Sequence, residues 1–385
     1  MFARSIDLPA APRTSFFLWG PRQTGKSSLL RVRYPHAVWI DLLKSDEFVR
    51  YSRQPELLRQ ELDSKPSNRL VVIDEIQKVP GLLDEVHWLI ENRRIAFVLC
   101  GSSARKVRRG HANLLGGRAL RHELFPLVSA EIGVGFDVLR AVNHGGLPRH
   151  YLDDKPAGML RAYVDDYLKE EIAAEGLVRN LPSFADFLSA AAIGDGEIQN
   201  QVNIARECGV SAPTVRAHFQ ILVDTLLGRF LPAHTKRPKR RVIQAPKFYF
   251  ADVGVVNALA KRGRLQAGTE LFGKALESWV CHELTAYLSY REPNCELRYW
   301  RLASGIEVDF VTDDLRLAVE VKSTSKPTDV HLKGLRALKQ DQGSVRRRVL
   351  ACMETRARRT EDGIDILPVT EMLQRLWAGE LLPSP

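Results

Sequence analysis

Residues 19–30 read WGPRQTGKSSLL. Gly20, Gly25, Lys26 and Ser27 fall at the spacing G-x-x-x-x-G-K-S. Glycines at the two fixed positions let the backbone turn its amide N–H groups toward an anion, and a helix opening at Lys26 adds its positive end. The flanks decide what this loop belongs to. SFFLW, residues 15–19, is an apolar run of strand length, and SSLLRV, residues 27–32, has helical patterning. Strand, glycine-rich bend and helix in that order predict a phosphate cradle at the carboxyl edge of a parallel sheet. Gly20, Pro21, Arg22, Gln23, Thr24, Gly25, Lys26, Ser27 and Ser28 are its lining. Lys26 is expected to reach the β- and γ-phosphates of a nucleoside triphosphate, and the Ser27 hydroxyl to ligate Mg²⁺.

Working outward, three more buried runs follow: AVWIDLL, LVVID and AFVLC, with a fifth strand predicted in RHELFPLV, ending at about Val128. Helix-patterned stretches alternate with them, the signature of a parallel α/β sheet. LVVIDEIQ ends its strand in Asp74 and Glu75. At a strand's carboxyl end Asp74 would hold Mg²⁺ through water, and Glu75 would polarise the attacking water as general base. The two motifs, with AVWIDLL between them in sequence, suit ATP as the substrate. Ser102 and Ser103, after FVLC, are candidates to contact the γ-phosphate or the water, or simply to cap a loop. Arg118 in LLGGRALR is a candidate to neutralise transition-state charge, in cis or from a neighbouring copy; the second route would call for a homo-oligomer.

At 385 residues the chain suits two or three domains. Lys and Arg number 56 against 46 Asp and Glu, a net charge of +10 that favours a polyanionic partner, nucleic acid first. Five scattered cysteines form no C-x-x-C pair, which argues against a zinc cluster or a disulfide framework. No apolar run approaches the ~18 residues of a membrane span. A reducing, cytoplasmic compartment is the expectation, with no membrane association.

The middle of the chain is helical in pattern, with MLRAYVDDYLKEEIAAEGLV and LPSFADFLSAAA predicted as helices. In IARECGVSAPTVRAHFQIL two helices meet at CGVS. Gly209 allows the turn, Ser211 caps the second helix, and Ala205, Val210, Val215 and Leu222 are expected to pack between the helices. The second helix would expose Thr214, Arg216 and His218, as in a helix-turn-helix that reads a DNA major groove. KRPKRR, residues 236–241, would be a basic wing on backbone phosphates.

The last third contains GIEVDFVTDDLRLAVEVKSTSK, residues 305–326. VTDDLRLA predicts a turn that pairs EVDFV with LAVEV and brings Asp309 near Glu320. Glu320 and Lys322 share one strand face, and Glu277 on the helix GKALESWV could face the same point. Helix Glu, strand Asp, then Glu-x-Lys resembles the pattern of the restriction-like nuclease fold. That resemblance implies Asp309, Glu320 and Glu277 as ligands for Mg²⁺ or Mn²⁺, and Lys322 as the residue that orients or activates the attacking water. Alternating charge on a half-exposed strand is the plain alternative, and Glu296 and Glu307 are nearby carboxylates easily confused with the ligands.

These motifs together resemble a family of bacterial and archaeal AAA-superfamily ATPases with a C-terminal domain of unknown function. The resemblance is carried by GPRQTGKSSLL, VVIDEIQKVP, VLCGSSARK, GGRALRHELFPLVSAEI and GGLPRHYL, then by APKFYFADVGVVNAL, GKALESWVCHEL, EVDFV and AVEVKST. It implies an α/β chain in three parts: a P-loop ATPase with a parallel sheet over 1–148, a helical and winged-helix-like segment over 149–265, and a restriction-endonuclease-like α/β domain over 266–385. It also implies the usual roles for Lys26, Ser27, Asp74 and Glu75. The residue before Asp309 is Val308, where the namesake motif of the nuclease fold has proline. The readings that follow are an ATPase controlling DNA binding or cutting by a metal-dependent nuclease-like domain, and a nucleotide-gated binding switch whose nuclease-like fold cuts nothing.

Overall fold

The computed structural model describes residues 2–63, 69–103, 115–168, 180–235 and 243–382. The chain forms two compact units. One comprises Ile6–Phe125 with Asp224–Leu227; the other comprises Met1–Ser5, Pro126–Val223 and Gly228–Pro385.

In the first unit, β1 (Ser15–Trp19), β2 (Val38–Asp41), β3 (Val71–Asp74), β4 (Phe97–Gly101) and β5 (Ala119–Glu123) form one sheet in the order β2-β3-β4-β1-β5. Every pairing is parallel. Helices α1 (Lys26–Arg33), α2 (Ser45–Arg53), α3 (Leu57–Asp63) and α4 (Leu82–Arg93) connect the strands. The apolar runs have a direct cause, since both sheet faces are covered. Phe17, Trp19, Ile73 and Leu99 enter one core and Phe16, Leu18, Val72 and Val98 the other. AVWIDLL lies between the two motifs in sequence but not in space. Its strand is the sheet edge, and β4 separates β1 from β3. The fifth strand stops at Glu123, short of the expected Val128.

The second unit holds the segments 149–265, apart from 224–227, and 266–385, and also takes in 126–148, expected from the sequence to belong with the first domain; one shared core runs from Leu127 through Tyr249 and Trp279 to Leu382. Helices Gln201–Glu207 and Ala212–Asp224 are followed by the antiparallel pair β6 (Gly228–Leu231) and β7 (Lys247–Phe250). β8 (Leu297–Arg301), β9 (Glu307–Thr312), β10 (Leu317–Val321), β11 (Arg347–Cys352), β12 (Arg358–Arg359) and β13 (Ile364–Pro368) form a mixed sheet in the order β12-β13-β11-β10-β9-β8. β10, β11 and β13 run parallel; the outer pairs are antiparallel. The expected turn sits at Asp313 and Asp314.

The two helices Gln201–Glu207 and Ala212–Asp224 are joined by a turn at residues 208–211. Gly209 takes φ 63°, and the Thr214 N–H donates to Ser211 Oγ at 3.3 Å. Val215 and Leu222 are fully buried. His218 is a correction: it is buried, not exposed, edge-on to Phe184 at 4.9 Å, whereas Arg216 faces solvent. Helical spacing explains the difference, because position 218 lies three residues after Val215 and falls on the same inner stripe. The basic run 236–241 and part of the helix expected over 159–178 lie outside the described residues. Among the described residues no helix is long and apolar enough to cross a membrane, and the five cysteines are free and buried.

Candidate functional site

The bend after β1 closes tightly on its own unit. A side chain at Gly20 would place its Cβ 2.4 Å from the Leu124 carbonyl oxygen, so only glycine fits there. Gly25 has φ 91° and precedes α1, whose first residue is Lys26. The Thr24 hydroxyl donates to the Pro21 carbonyl at 2.9 Å and locks the loop internally. Lys26 is buried, and its ammonium donates to the carbonyls of Gly20 at 2.8 Å and Pro21 at 2.9 Å. These are weak neutral acceptors, and an arriving phosphate would outcompete them. Ser27 and Arg22 are half-buried beside the loop; Gln23 and Ser28 face solvent.

Asp74 and Glu75 end β3. Asp74 pairs in register with Cys100 of β4, and Trp19, just before the loop, pairs with Gly101 of the same strand. The two motifs thus share the carboxyl edge, two strand spacings or ~10 Å apart. That separation suits an acid that acts on Mg²⁺ through water. Asp74 accepts the Glu75 N–H at 3.1 Å. Glu75 has φ 58°, a left-handed conformation uncommon outside glycine. Its carboxylate is held by the Gln77 amide and by the Ser102 hydroxyl at 3.4 Å, and Gln77 also donates to Ser102 Oγ at 3.1 Å. Ser103 is buried beside it. Gln77 escaped the sequence reading because it lies in the short helical turn after the strand, where no periodicity marks it.

Arg118 lies at the other end of the sheet. It immediately precedes β5, whose first residue, Ala119, pairs with Ser15 at the start of β1. Five residues of strand, ~16 Å, separate it from the carboxyl edge. It pairs with Glu91 on the surface. The placement removes the in-cis role expected of it.

In the second unit the strands bring together much of the expected constellation. β9 and β10 pair Ala318 with Val311 and Val319 with Phe310, so Asp309 and Glu320 are cross-strand neighbours. Asp309 Oδ2 accepts the Val321 N–H at 2.8 Å. Lys322 Nζ lies 2.6 Å from Glu320 and 3.9 Å from Asp309. Glu277, on the helix Glu270–Arg291, meets a different partner. Its Oε1 accepts from the Tyr249 hydroxyl at 2.6 Å and lies 3.4 Å from Lys247 Nζ. Lys247 is nearly inaccessible and bonds Glu307 at 2.5 Å. Burial, and next the Asp309 charge, push the pKa of Glu277 and Glu320 above the usual carboxylate range, making both weaker acids. Burial opposes the charge on both lysines, but the surrounding carboxylates prevail and hold Lys247 and Lys322 above the usual range. Lys247 and Tyr249 were missed, although a lysine at one end of the apolar strand KFYF, sharing a face with tyrosine, was a signal. Glu307 belongs to the cluster; Glu296 pairs with Arg298 at the surface.

The three expected metal ligands do not fit one divalent ion as they stand. Octahedral Mg²⁺ at ~2.1 Å needs oxygens within ~4.2 Å of one another. Among the described residues the group of three whose ligand atoms lie within 4.8 Å is Cys295, Asp313 and Asp314, and Glu277, Asp309 and Glu320 form no such group. Among the described residues the buried Glu320 Oε2 has no hydrogen-bond partner.

The five-stranded parallel sheet, with its glycine-rich loop and acidic strand end, is typical of a P-loop ATPase fold. Residues 12–133 match the family described as AAA domain. Residues 136–266 and 272–372 match two domains of unknown function, DUF8612 and DUF4143. No match was found among curated proteins. Among solved structures, a Walker-type ATPase of Pyrococcus abyssi is similar at 16% identity and TM-score 0.44, covering 63% of this chain and 90% of that one. ORC2 of Aeropyrum pernix in its ADP form is similar at 13% identity and TM-score 0.34, covering 66% and 89%. AMPPCP-bound DnaA of Aquifex aeolicus is similar at 13% and TM-score 0.28, covering 56% and 83%.

Proposed function

We propose that the chain hydrolyses ATP and uses the turnover to govern nucleic-acid binding by its second unit. The observation that supports hydrolysis is the shared carboxyl edge of Lys26, Asp74 and Glu75, with Glu75 oriented by Gln77 and Ser102. Loop amides from Gly20 to Ser28 and the α1 terminus would hold the phosphates, and Lys26 would leave its carbonyls for the β- and γ-oxygens. Mg²⁺, held by Ser27 directly and Asp74 through water, would neutralise the developing charge. Glu75 would take the proton of the attacking water. Arg118 could contribute only from a second copy in a homo-oligomer. Lys26→Ala should abolish turnover by the purified chain, and Glu75→Gln should lower kcat ~10²-fold or more. Undiminished turnover by Lys26→Ala overturns the assignment.

DNA as partner is supported by the net charge of +10 and by a helix-turn-helix with exposed Arg206 and Arg216. ATPase rates measured with and without single-stranded, duplex and branched DNA test the link. Stimulation that fades with salt supports it; indifference to every DNA points to a protein partner. A second reading, Mg²⁺- or Mn²⁺-dependent cutting by a nuclease-like domain, is favoured by the meeting of Asp309, Glu320 and Lys322. DNA cleavage that disappears in Asp309→Ala and Lys322→Ala would establish it. Binding without cleavage is the outcome we favour, because the carboxylates are not gathered around one ion.

A further inference from the structure

We infer that Lys247 is the resident cation of the acidic pocket in the second unit, and that its ammonium closes the pocket to divalent metal. Three observations carry this. Lys247 Nζ lies between Glu307 at 2.5 Å and Glu277 at 3.4 Å, with a side chain only 4% exposed. Glu277 Oε1 is already occupied by the Tyr249 hydroxyl at 2.6 Å, so a metal there would have to displace two donors. On the remaining carboxylates one oxygen each is engaged, Glu320 Oε1 by Lys322 at 2.6 Å and Asp309 Oδ2 by the Val321 N–H at 2.8 Å. Each acid expected as a metal ligand therefore already has a protein donor.

The lysine is not free to leave. It is carried by β7, whose register with β6 pairs it with Leu231 and sets its neighbour Phe248 against Phe230. Its ammonium also lies 5.5 Å from the Tyr299 ring centroid. A divalent ion bound beside a fixed ammonium would meet like-charge repulsion in a poorly solvated place, where charges interact strongly. Withdrawing Lys247 would leave the half-buried Glu277 without its ammonium partner and Glu307 with Arg301 alone at 3.1 Å, which is itself unfavourable. The strand β7 is thereby pinned to Glu277 and Glu307. The inference is independent of the ATPase reading, since no P-loop residue takes part in it.

The test is a Mn²⁺ titration of the full chain without nucleotide, followed by electron paramagnetic resonance. The wild-type and Asp309→Asn isotherms should coincide, because neither has a metal site in this pocket. Lys247→Met should gain a site at least ~10-fold tighter than any wild-type binding, and a second substitution, Asp309→Asn, should remove it. Lys247→Arg keeps the cation and should gain none. Wild-type Mn²⁺ binding that Asp309→Asn abolishes would overturn the inference, as would a folded Lys247→Met chain that titrates like wild type. Should Lys247→Met fail to fold, the wild-type and Asp309→Asn comparison decides alone.

Discussion

Glu75 holds a backbone angle, φ 58°, that a branched-free acidic side chain rarely adopts, and a non-glycine residue there stores of order 1 kcal/mol or more. The strain sits at the residue expected to act as base, and the surrounding contacts keep it in place. Gln77 is central to them, because its amide reaches both Glu75 and Ser102. Gln77→Ala should therefore lower kcat about 10-fold while leaving KM nearly unchanged, since the amide aims the base and does not hold the nucleotide. Steady-state ATPase kinetics give the split; a rise in KM alone would mean that Gln77 serves nucleotide binding instead. That Lys26 and Ser27 follow a glycine-rich bend and that Asp74 and Glu75 end a buried strand was legible from spacing and run length alone. Gln77 was not, and Lys247 left only the trace of a lysine ending an apolar strand, since each acts through neighbours supplied by other elements.

At the scale of elements, two quoted motifs far apart in sequence prove to be one joint. Asp252 begins the helix Val253–Leu259 and accepts the Val255 N–H at 3.1 Å. The same carboxylate accepts the N–H groups of Gly146 at 2.6 Å and Leu147 at 3.1 Å. A Cβ at Gly145 would lie 2.0 Å from Asp252 Oδ1, and one at Gly254 would lie 2.4 Å from the His144 carbonyl oxygen. HGGLP and ADVG are thus the two halves of a close backbone approach. Asp252→Ala strands three N–H groups and should cost about 3 kcal/mol or more in urea unfolding. The helix-turn-helix makes a separate case. His218→Ala should lower stability by about 1–3 kcal/mol, because its ring packs on Phe184 and Phe187. Arg216→Ala should weaken DNA binding without moving Tm. A folded His218→Ala chain with unchanged melting but lost DNA affinity would restore the surface role expected of that residue.

At the scale of the whole molecule, buried acids tie stability to pH. Burial pushes Glu283 up to about 7, although the Ser129 N–H and the Trp377 indole N–H, each at 2.7 Å, favour its charge. Burial likewise raises Asp252 to about 6. Between the unfolded and folded values the native chain keeps a proton that the unfolded chain has lost. Stability from these groups is complete below pH ~4 and declines as pH rises through 6 and 7. Glu283→Gln should flatten the fall between pH 5 and 7 by up to about 1.4 kcal/mol per pH unit, whatever its mean effect on stability. Chemical unfolding across that range reads it; parallel slopes for variant and wild type would mean that Glu283 is ionised throughout.

Local chemistry alone determined the glycine-rich loop, the acidic strand end, the parallel α/β class and the turn between the 201–207 and 212–224 helices, because each rests on short-range rules: glycine torsions, run length and residue period. Only the folded chain decided which elements share a core, that β4 stands between the two nucleotide motifs, that Arg118 sits at the far end of its sheet, and that His218 turns inward. It also placed Lys247 among the carboxylates thought to await a metal. Residues 247, 277 and 307 stand far apart along the chain, and no sequence period relates them. Strand pairing and helix packing bring them within hydrogen-bond reach, and the charge balance of that pocket exists only once they have done so.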